Sequence, residues 1–516
     1  MKKGLLFGML LLIISLMSKA QIQDLALLSK GEMKEFTVLY KQNQVFGYFV
    51  LYDLGEISDT IKKFEYILMD KNLNKSIGKE FEAENTVETY KCWMNFKDEI
   101  VLKPYINDDF SYRKSSIPKS KRIAVKTNEI YNQENQCYEN NIFFDCPDDK
   151  TMKERKKRLK EEKKQKGFIY DSYVSELKYG GYLVSEFDEY EQWGGKTYTK
   201  NNSIIRFDEN KKELWRIKYN ENATDQKYES YKFLNIDSQY VYLFHTYANK
   251  KEMEFKIEIL DLNTGAVKIN KTITELNKES LNYISNISYQ YSITNEEDFD
   301  DKYVLTSTLK DNKYRTTGYY RLIIDKKTLN IEFKTFTYED DISKYIEDID
   351  KFGGVERGFN LEIRDALFFK DGSIAYVTEK FKLGTVFPSN QLVPKTTDMV
   401  VIITDENFKI NDVKVLPKDK SNYSYSDYLF NQYLNGKKDI VFYYRDYQKD
   451  ENKDKNWNLF INTIIKGKFN QEKIQISSKQ DKYMIFPYPA KDGYILFFEY
   501  NKKDKYNQIR LEKLNY

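Results

Sequence analysis

The chain is poor in the residue types that carry most familiar chemistry. Its 516 residues include one His, three Cys, eight Pro, 21 Gly and four Trp. A single His excludes a multi-His metal centre, and any catalytic triad must use His245 or do without His. Three Cys cannot build an all-cysteine zinc site or a disulfide-dense scaffold. No Gly-rich phosphate loop, Gly-x-Ser-x-Gly elbow or Cys-x-x-Cys pair occurs. After the first twenty residues, no apolar run approaches the length of a membrane-spanning helix.

What is abundant is aromatic and charged. There are 44 Tyr and 33 Phe beside 83 basic and 80 acidic residues. Disordered chains are poor in aromatics, so this composition predicts a folded protein.

Residues 1–20 read as a secretory leader. Lys2 and Lys3 open it, Leu5 to Leu16 is a nearly continuous apolar run, and Ser18-Lys19-Ala20 is a small-x-small ending. Cleavage there would remove three Lys and leave 80 bases against 80 acids, so the formal net charge would fall from +3 to zero. A nucleic-acid binder normally carries a clear basic excess, so none is expected as a partner. The expected address is exported, either periplasmic or at the cell surface or secreted. Retention in the periplasm is favoured, and the mature chain is expected to be monomeric.

An oxidising compartment permits a disulfide between Cys137 and Cys146. Pairing of Cys92 with either of them stays open. Cys92 itself reads as a buried, inert thiol.

Five segments share one pattern of apolar alternation, Asp, turn and a second alternating run. They are Tyr66-Ile-Leu-Met-Asp70, Ile204-Ile-Arg-Phe-Asp208, Ile257-Glu-Ile-Leu-Asp261, Arg321-Leu-Ile-Ile-Asp325 and Val401-Ile-Ile-Thr-Asp405. Period-two alternation indicates strands, and Asp recurs at reversals because its carboxylate can bond nearby backbone. Upstream strands begin near Val45, Tyr182, Tyr240, Tyr303 and Ile374, and further ones near Ile440 and Tyr494. They recur at roughly 54 to 71 residues after a first interval about twice as long. That interval holds strand candidates at Thr86–Met94, Ile100–Tyr105 and Ile123–Tyr131.

A four-stranded unit at this period predicts an all-β fold, a β-propeller of six to eight four-stranded blades with seven preferred. Aromatic side chains would fill the wedges between blades. The whole of residues 21–516 is expected to be one propeller domain, and an early strand such as Glu35–Lys41 is expected to complete the last blade. The competing architecture is two stacked β domains or a β-sandwich array.

The stretch from Ile204 to Tyr219, with Asp208 and Trp215, resembles a quinoprotein-like propeller repeat, and Asp261-Leu-Asn-Thr-Gly265 is similar. The resemblance implies a propeller built of hairpins in which Trp215 docks. It carries no quinone-binding residues. In composition the chain also resembles exported proteins of Bacteroidota.

Two short helical insertions are predicted near 147–168 and 340–354. From Asp148 to Lys166 the charge pattern predicts a solvated helix ending at Gly167. From Asp341 to Lys351, Ile342, Tyr345, Ile346 and Ile349 follow helical spacing before Gly353-Gly354.

Candidate sites are few. His245 is expected to be structural. Glu296, Glu297, Asp298, Asp300 and Asp301 form an acidic cluster that could offer oxygen ligands to calcium, the one cofactor considered. Tyr423, Tyr425 and Tyr428 are candidate contacts for a protein or glycan ligand, since Tyr gives large contact area at low entropic cost. Glu186, Glu379 and Glu499 each follow the apolar part of an upstream strand. Two functions compete: a non-catalytic exported propeller that binds a protein or glycan, and a carbohydrate-active hydrolase using paired carboxylates in a central channel.

Overall fold

A computed structural model describes residues 21–41, 44–94, 99–106, 122–124, 129–131, 170–177, 180–192, 196–210, 212–224, 227–249, 252–274, 295–311, 315–386, 391–422, 424–449, 454–503 and 506–515. The side chains of 103, 105–106, 122–131, 170–176, 186–200, 252–253, 295, 310 and 386 lie outside that description. Among the described residues the fold is all-β, with no α-helix. The strands form eight antiparallel sheets, most of them four-stranded meanders of consecutive strands. They are numbered below in chain order.

The first sheet holds Glu32–Lys41, Gln44–Ser58, Ile61–Asp70 and Lys75–Glu84. The second, in the long first interval, holds Val87–Met94, Ile100–Ile106, Arg122–Ala124 and Glu129–Tyr131. The third to fifth begin at Tyr170, Lys227 and Asn295 and end at Tyr219, Thr272 and Thr337. The sixth is larger, running from Gly354–Val355 to Ile410–Leu416, with Ser421–Asn422 paired to its strand Gln391–Thr404. The seventh spans Tyr428–Leu434 to Lys468–Gln475. The eighth holds Ser477–Ser478, Tyr483–Pro489, Tyr494–Asn501 and Tyr506–Lys513, and a fifth strand, Gln21–Asp24, pairs antiparallel with its last member.

That fifth strand corrects the expected closing segment. Glu35–Lys41 belongs to the first sheet, and Gln21–Asp24 completes the last one. With one apolar residue, Ile22, the short strand shows no alternation to read. Its anchor follows it: Leu25 is buried, and its carbonyl accepts a hydrogen bond from the Tyr52 hydroxyl at 2.7 Å.

The chain divides into two compact units. One contains the first, second, seventh and eighth sheets and the other the third to sixth. Within each unit, burial follows strand position. The second strands Tyr48–Tyr52, Tyr240–Phe244 and Ile440–Tyr444 are apolar without a break, because neighbouring sheets cover both faces. In the fourth sheet, Val241 and Leu243 pack with Leu183, Ile204 and Trp215 of the third. On the opposite face Tyr242 and Phe244 pack with Tyr303 and Leu322 of the fifth. Last strands are the reverse: Lys75–Glu84 is almost wholly exposed, and its Lys and Glu side chains discourage edge pairing.

Aromatic rings occupy the spaces between sheets, as expected. Tyr319 and Tyr376 lie 4.7 Å apart between the fifth and sixth sheets. Phe36 and Tyr488 meet edge-on at 5.1 Å between the first and eighth.

All five Asp reversals form. Asp70 accepts from the backbone N–H of Asn72 and Asn74 at 2.8 and 2.9 Å. Asp208 accepts from Asn210 and Lys212, and Asp405 from Asn407 and Lys409, in the same spacing. Asp261 and Asp325 accept from the backbone and hydroxyl of Thr264 and Thr328. Each turn joins the last two strands of its meander.

The segment from Asp341 to Lys351 is not the predicted helix. Only Ile342–Lys344 forms a single 3-10 turn. Asp348 adopts φ 60°, which breaks helical geometry. The carboxylates of Asp341 and Asp350 bond the backbone N–H groups of Thr337, Phe352 and Gly354, competing with helix formation. The apolar spacing still serves: Ile342 is buried, and Ile346 and Ile349 pack on the same core. The charged insertion at 148–166 lies outside the described residues.

Candidate functional site

Two of the three carboxylates singled out in the sequence, Glu379 and Glu499, are held by basic side chains. Glu379 lies in the sixth-sheet strand Ile374–Val386 and is wholly buried, with 0% exposure. Arg364 Nε donates to its Oε2 at 2.9 Å, and Lys418 Nζ, itself fully buried, stands 3.3 Å from its Oε1. The register of the adjoining strand Phe359–Phe368 shifts between Ile363 and Asp365, leaving Arg364 as the extra residue. A bulge re-aims a side chain in this way, here toward the glutamate.

A second shift between Glu379 and Phe381 leaves Thr397 and Asp398 opposite Lys380, whose Nζ donates to the Oε1 of Glu356 at 2.6 Å and the Oδ2 of Asp398 at 2.9 Å. Burial opposes the Lys380 charge, yet the bonds to Glu356 and Asp398 outweigh it and hold its pKa above the ordinary value. Glu356 is correspondingly pushed below the carboxylate range by its hydrogen bond from Lys380.

Glu499, in the eighth sheet, accepts from the Tyr506 hydroxyl at 2.5 Å and from Arg510. Burial raises its pKa, but Tyr506 and Arg510 outweigh burial and leave it lowered. A general acid needs the opposite displacement. The Glu186 side chain lies outside the described residues.

His245 sits in the fourth-sheet strand Tyr240–Asn249 and is buried, as expected for a structural residue. The sequence reading missed its partners. Its Nδ1 lies 2.9 Å from Glu258 Oε1, and its Nε2 lies 3.4 Å from Glu229 Oε2. Tyr231 stacks on the imidazole at 4.2 Å with the planes 8° apart. Asn270 Nδ2 also donates to Glu258 at 3.1 Å. The alternation Glu254, Lys256, Glu258 was the available signal: a strand face that carries charge at every second residue. Only the pairing of Tyr231 and Lys256 opposite His245 brings that face to the ring.

Two of the three tyrosine candidates are described. Tyr425 is 69% exposed, Tyr428 is half-buried at the start of the seventh sheet, and Tyr423 lies outside the described residues. In the acidic cluster, Glu296 and Asp298 engage partners outside the cluster. Glu296 accepts from the Tyr303 hydroxyl, and Asp298 accepts from Asn235 at 2.9 Å and pairs with Lys326 at 2.6 Å. Glu297 is buried, and strand alternation sends it to the opposite face. Asp300 and Asp301 follow in the turn. Among the described residues, no three His, Cys, Asp or Glu side chains group to hold a metal ion.

Cys92 is free and buried. Burial, with a smaller contribution from Glu35, pushes its thiol pKa far above the ordinary value. Cys137 and Cys146 lie outside the described residues. No described helix is long and apolar enough to cross a membrane.

No protein-family model matches the chain, and no curated protein matches it. Solved structures with a similar course include the WD40 domain of SCAP from fission yeast, 8% identical, covering 96% of this chain and 98% of that one at TM-score 0.32. The β-propeller domain of the Trilobed protease from Pyrococcus furiosus is 11% identical, covering 67% and 96% at TM-score 0.25. The NanB sialidase from Streptococcus pneumoniae is 8% identical, covering 94% and 68% at TM-score 0.28. These scores are too low to carry fold or function between chains. The class defined by the coordinates themselves is an all-β repeat protein of successive antiparallel sheets.

Proposed function

We propose that this chain is an exported, non-catalytic β-propeller that binds a protein or glycan ligand through one end of its ring. The eight sheets would be its blades, and pairing of Gln21–Asp24 with Tyr506–Lys513 would be the clasp that closes the circle. The observation that carries the non-catalytic reading is the neutralisation of Glu379 by Arg364 and Lys418, and of Glu499 by Arg510. Paired-carboxylate hydrolysis needs one group protonated and the other free to attack or to activate water. The exposed Tyr425 is a contact of the kind such a module uses.

The test is a paired screen of the purified protein, for retention on immobilised glycans and proteins and for release of reducing sugar from the same glycans. Retention without turnover is expected. Turnover of any glycan, abolished by Glu379→Gln or Glu499→Gln in a folded variant, would replace this reading with the hydrolase.

A further inference from the structure

We infer that Tyr447, Trp457 and Arg445, on the paired seventh-sheet strands Asp439–Lys449 and Lys455–Ile465, form a binding platform for a carboxylated sugar, as in a polyuronate. The inference rests on reading the chain as a binding module and names the ligand class that one surface suits.

Tyr447 and Trp457 face each other directly in register across the hairpin. Their ring centroids are 5.0 Å apart, and their planes are inclined by 39°. Both are half-buried, so each keeps surface open to solvent. Trp457 packs against the core between the seventh and eighth sheets. Its backbone is fixed on both sides: its N–H donates to Ser477 Oγ at 2.8 Å, and its carbonyl accepts from the Ile476 N–H at 2.8 Å. The pair is therefore held in place before any ligand arrives, which limits the ordering cost of binding.

Cations flank the rings. The Arg445 guanidinium lies over the Trp457 ring at 4.6 Å, and Lys455 Nζ lies 5.5 Å from the Tyr447 centroid. The Arg445 side chain is 37% exposed, and the acid paired with it among the described residues is Asp427, at 3.9 Å from Nε. The two terminal nitrogens of Arg445 make no hydrogen bond with any described residue. Lys449 and Lys455 stand directly opposite each other, both exposed, and neither pairs with a described acid. Like charges opposite one another in a ladder disfavour the sheet. An anion seated there would relieve that cost.

The chemistry that fits is a ring with apolar C–H faces to lie on the aromatics, plus a planar carboxylate for the free fork of Arg445. A uronic acid supplies both. The rings are inclined rather than parallel, so they offer no continuous stack for flat bases. The neutral charge of the chain without its leader also disfavours a nucleic acid.

The purified protein is titrated with polygalacturonate oligomers, with their methyl esters as the uncharged analogue, and with poly(U), by calorimetry. Arg445→Gln and Tyr447→Ala are compared with the parent, and far-UV circular dichroism checks their fold. Each should weaken polygalacturonate binding by about tenfold, the loss of one strong polar or stacking contact. The methyl ester should bind about as weakly as Arg445→Gln binds the acid, and Arg445→Gln should lose nothing further on the ester.

No binding of polygalacturonate, equal binding of the ester, unchanged affinity in both variants, or binding of poly(U) alone overturns the assignment. If another glycan or a protein binds and both variants leave that binding unchanged, the platform falls while the binding-module reading stands. Hydrolysis of the polymer would instead remove the binding-module reading itself.

Discussion

Trp215 of the third sheet donates its indole N–H to the carbonyl of Leu262, 2.9 Å away in the Asp261 turn of the fourth sheet. The same ring closes over Gly265, where an added Cβ would lie 2.8 Å from the indole. One side chain thus ties one sheet to the turn of the next. Arg321 makes an equivalent tie, donating to the carbonyls of Gly372 and Glu406 in the sixth sheet.

The Trp215 tie predicts two graded losses. Trp215→Phe keeps ring packing and gives up one hydrogen bond, so unfolding free energy should fall by about 1 kcal/mol. Gly265→Ala must hold φ 71° and displace the indole, and should cost about 2 kcal/mol or more. Urea unfolding of both variants measures this. Equal stabilities for Gly265→Ala and the parent would mean that the ring does not dock as described.

Glu379 and Lys418 are mutually dependent. Glu379→Gln removes the carboxylate charge 3.3 Å from the fully buried Lys418 Nζ and should cost roughly 3–5 kcal/mol. Combining Glu379→Leu with Lys418→Met removes both charges and should recover a large share of that loss. A double-mutant cycle in denaturant measures the coupling. Additive losses would show that the two charges do not support each other.

Acid should act on the Asp turns. Backbone hydrogen bonds from Thr264 and Thr328 hold Asp261 and Asp325 below their ordinary value of 3.8. A lowered folded-state pKa means that these groups stabilise the fold above about pH 4, and that the contribution is lost as pH falls through the folded value. Asp261→Asn with Asp325→Asn should therefore flatten stability against pH below 4 relative to the parent. NMR titration of the two carboxyl carbons gives the direct check; midpoints at or above 3.8 would contradict the turn geometry.

Cys92 should be chemically silent in the native state. Burial keeps its thiol protonated, and the thiolate is the reactive form. Labelling with a thiol reagent at pH 8 should be slow in buffer and rapid in denaturant, read by mass spectrometry at the Cys92 peptide. Prompt native labelling would place Cys92 at an accessible surface instead.

The sequence alone determined the strand-turn-strand recurrence, because alternation and Asp chemistry act over a few neighbouring residues. Those local rules placed the five Asp turns at Asp70, Asp208, Asp261, Asp325 and Asp405 and set the aromatics between sheets, while the docking of Trp215 was implied by the resemblance to a quinoprotein-like repeat. Tertiary structure alone decided what depends on register between distant strands: the pairing of Gln21–Asp24 with the last strand, the enclosure of His245 by Glu229 and Glu258, and the capture of Glu379 by two bulge-directed or fully buried cations. A one-residue change of register sends a side chain to the other face of its sheet, and no local pattern in the chain records which partner waits there.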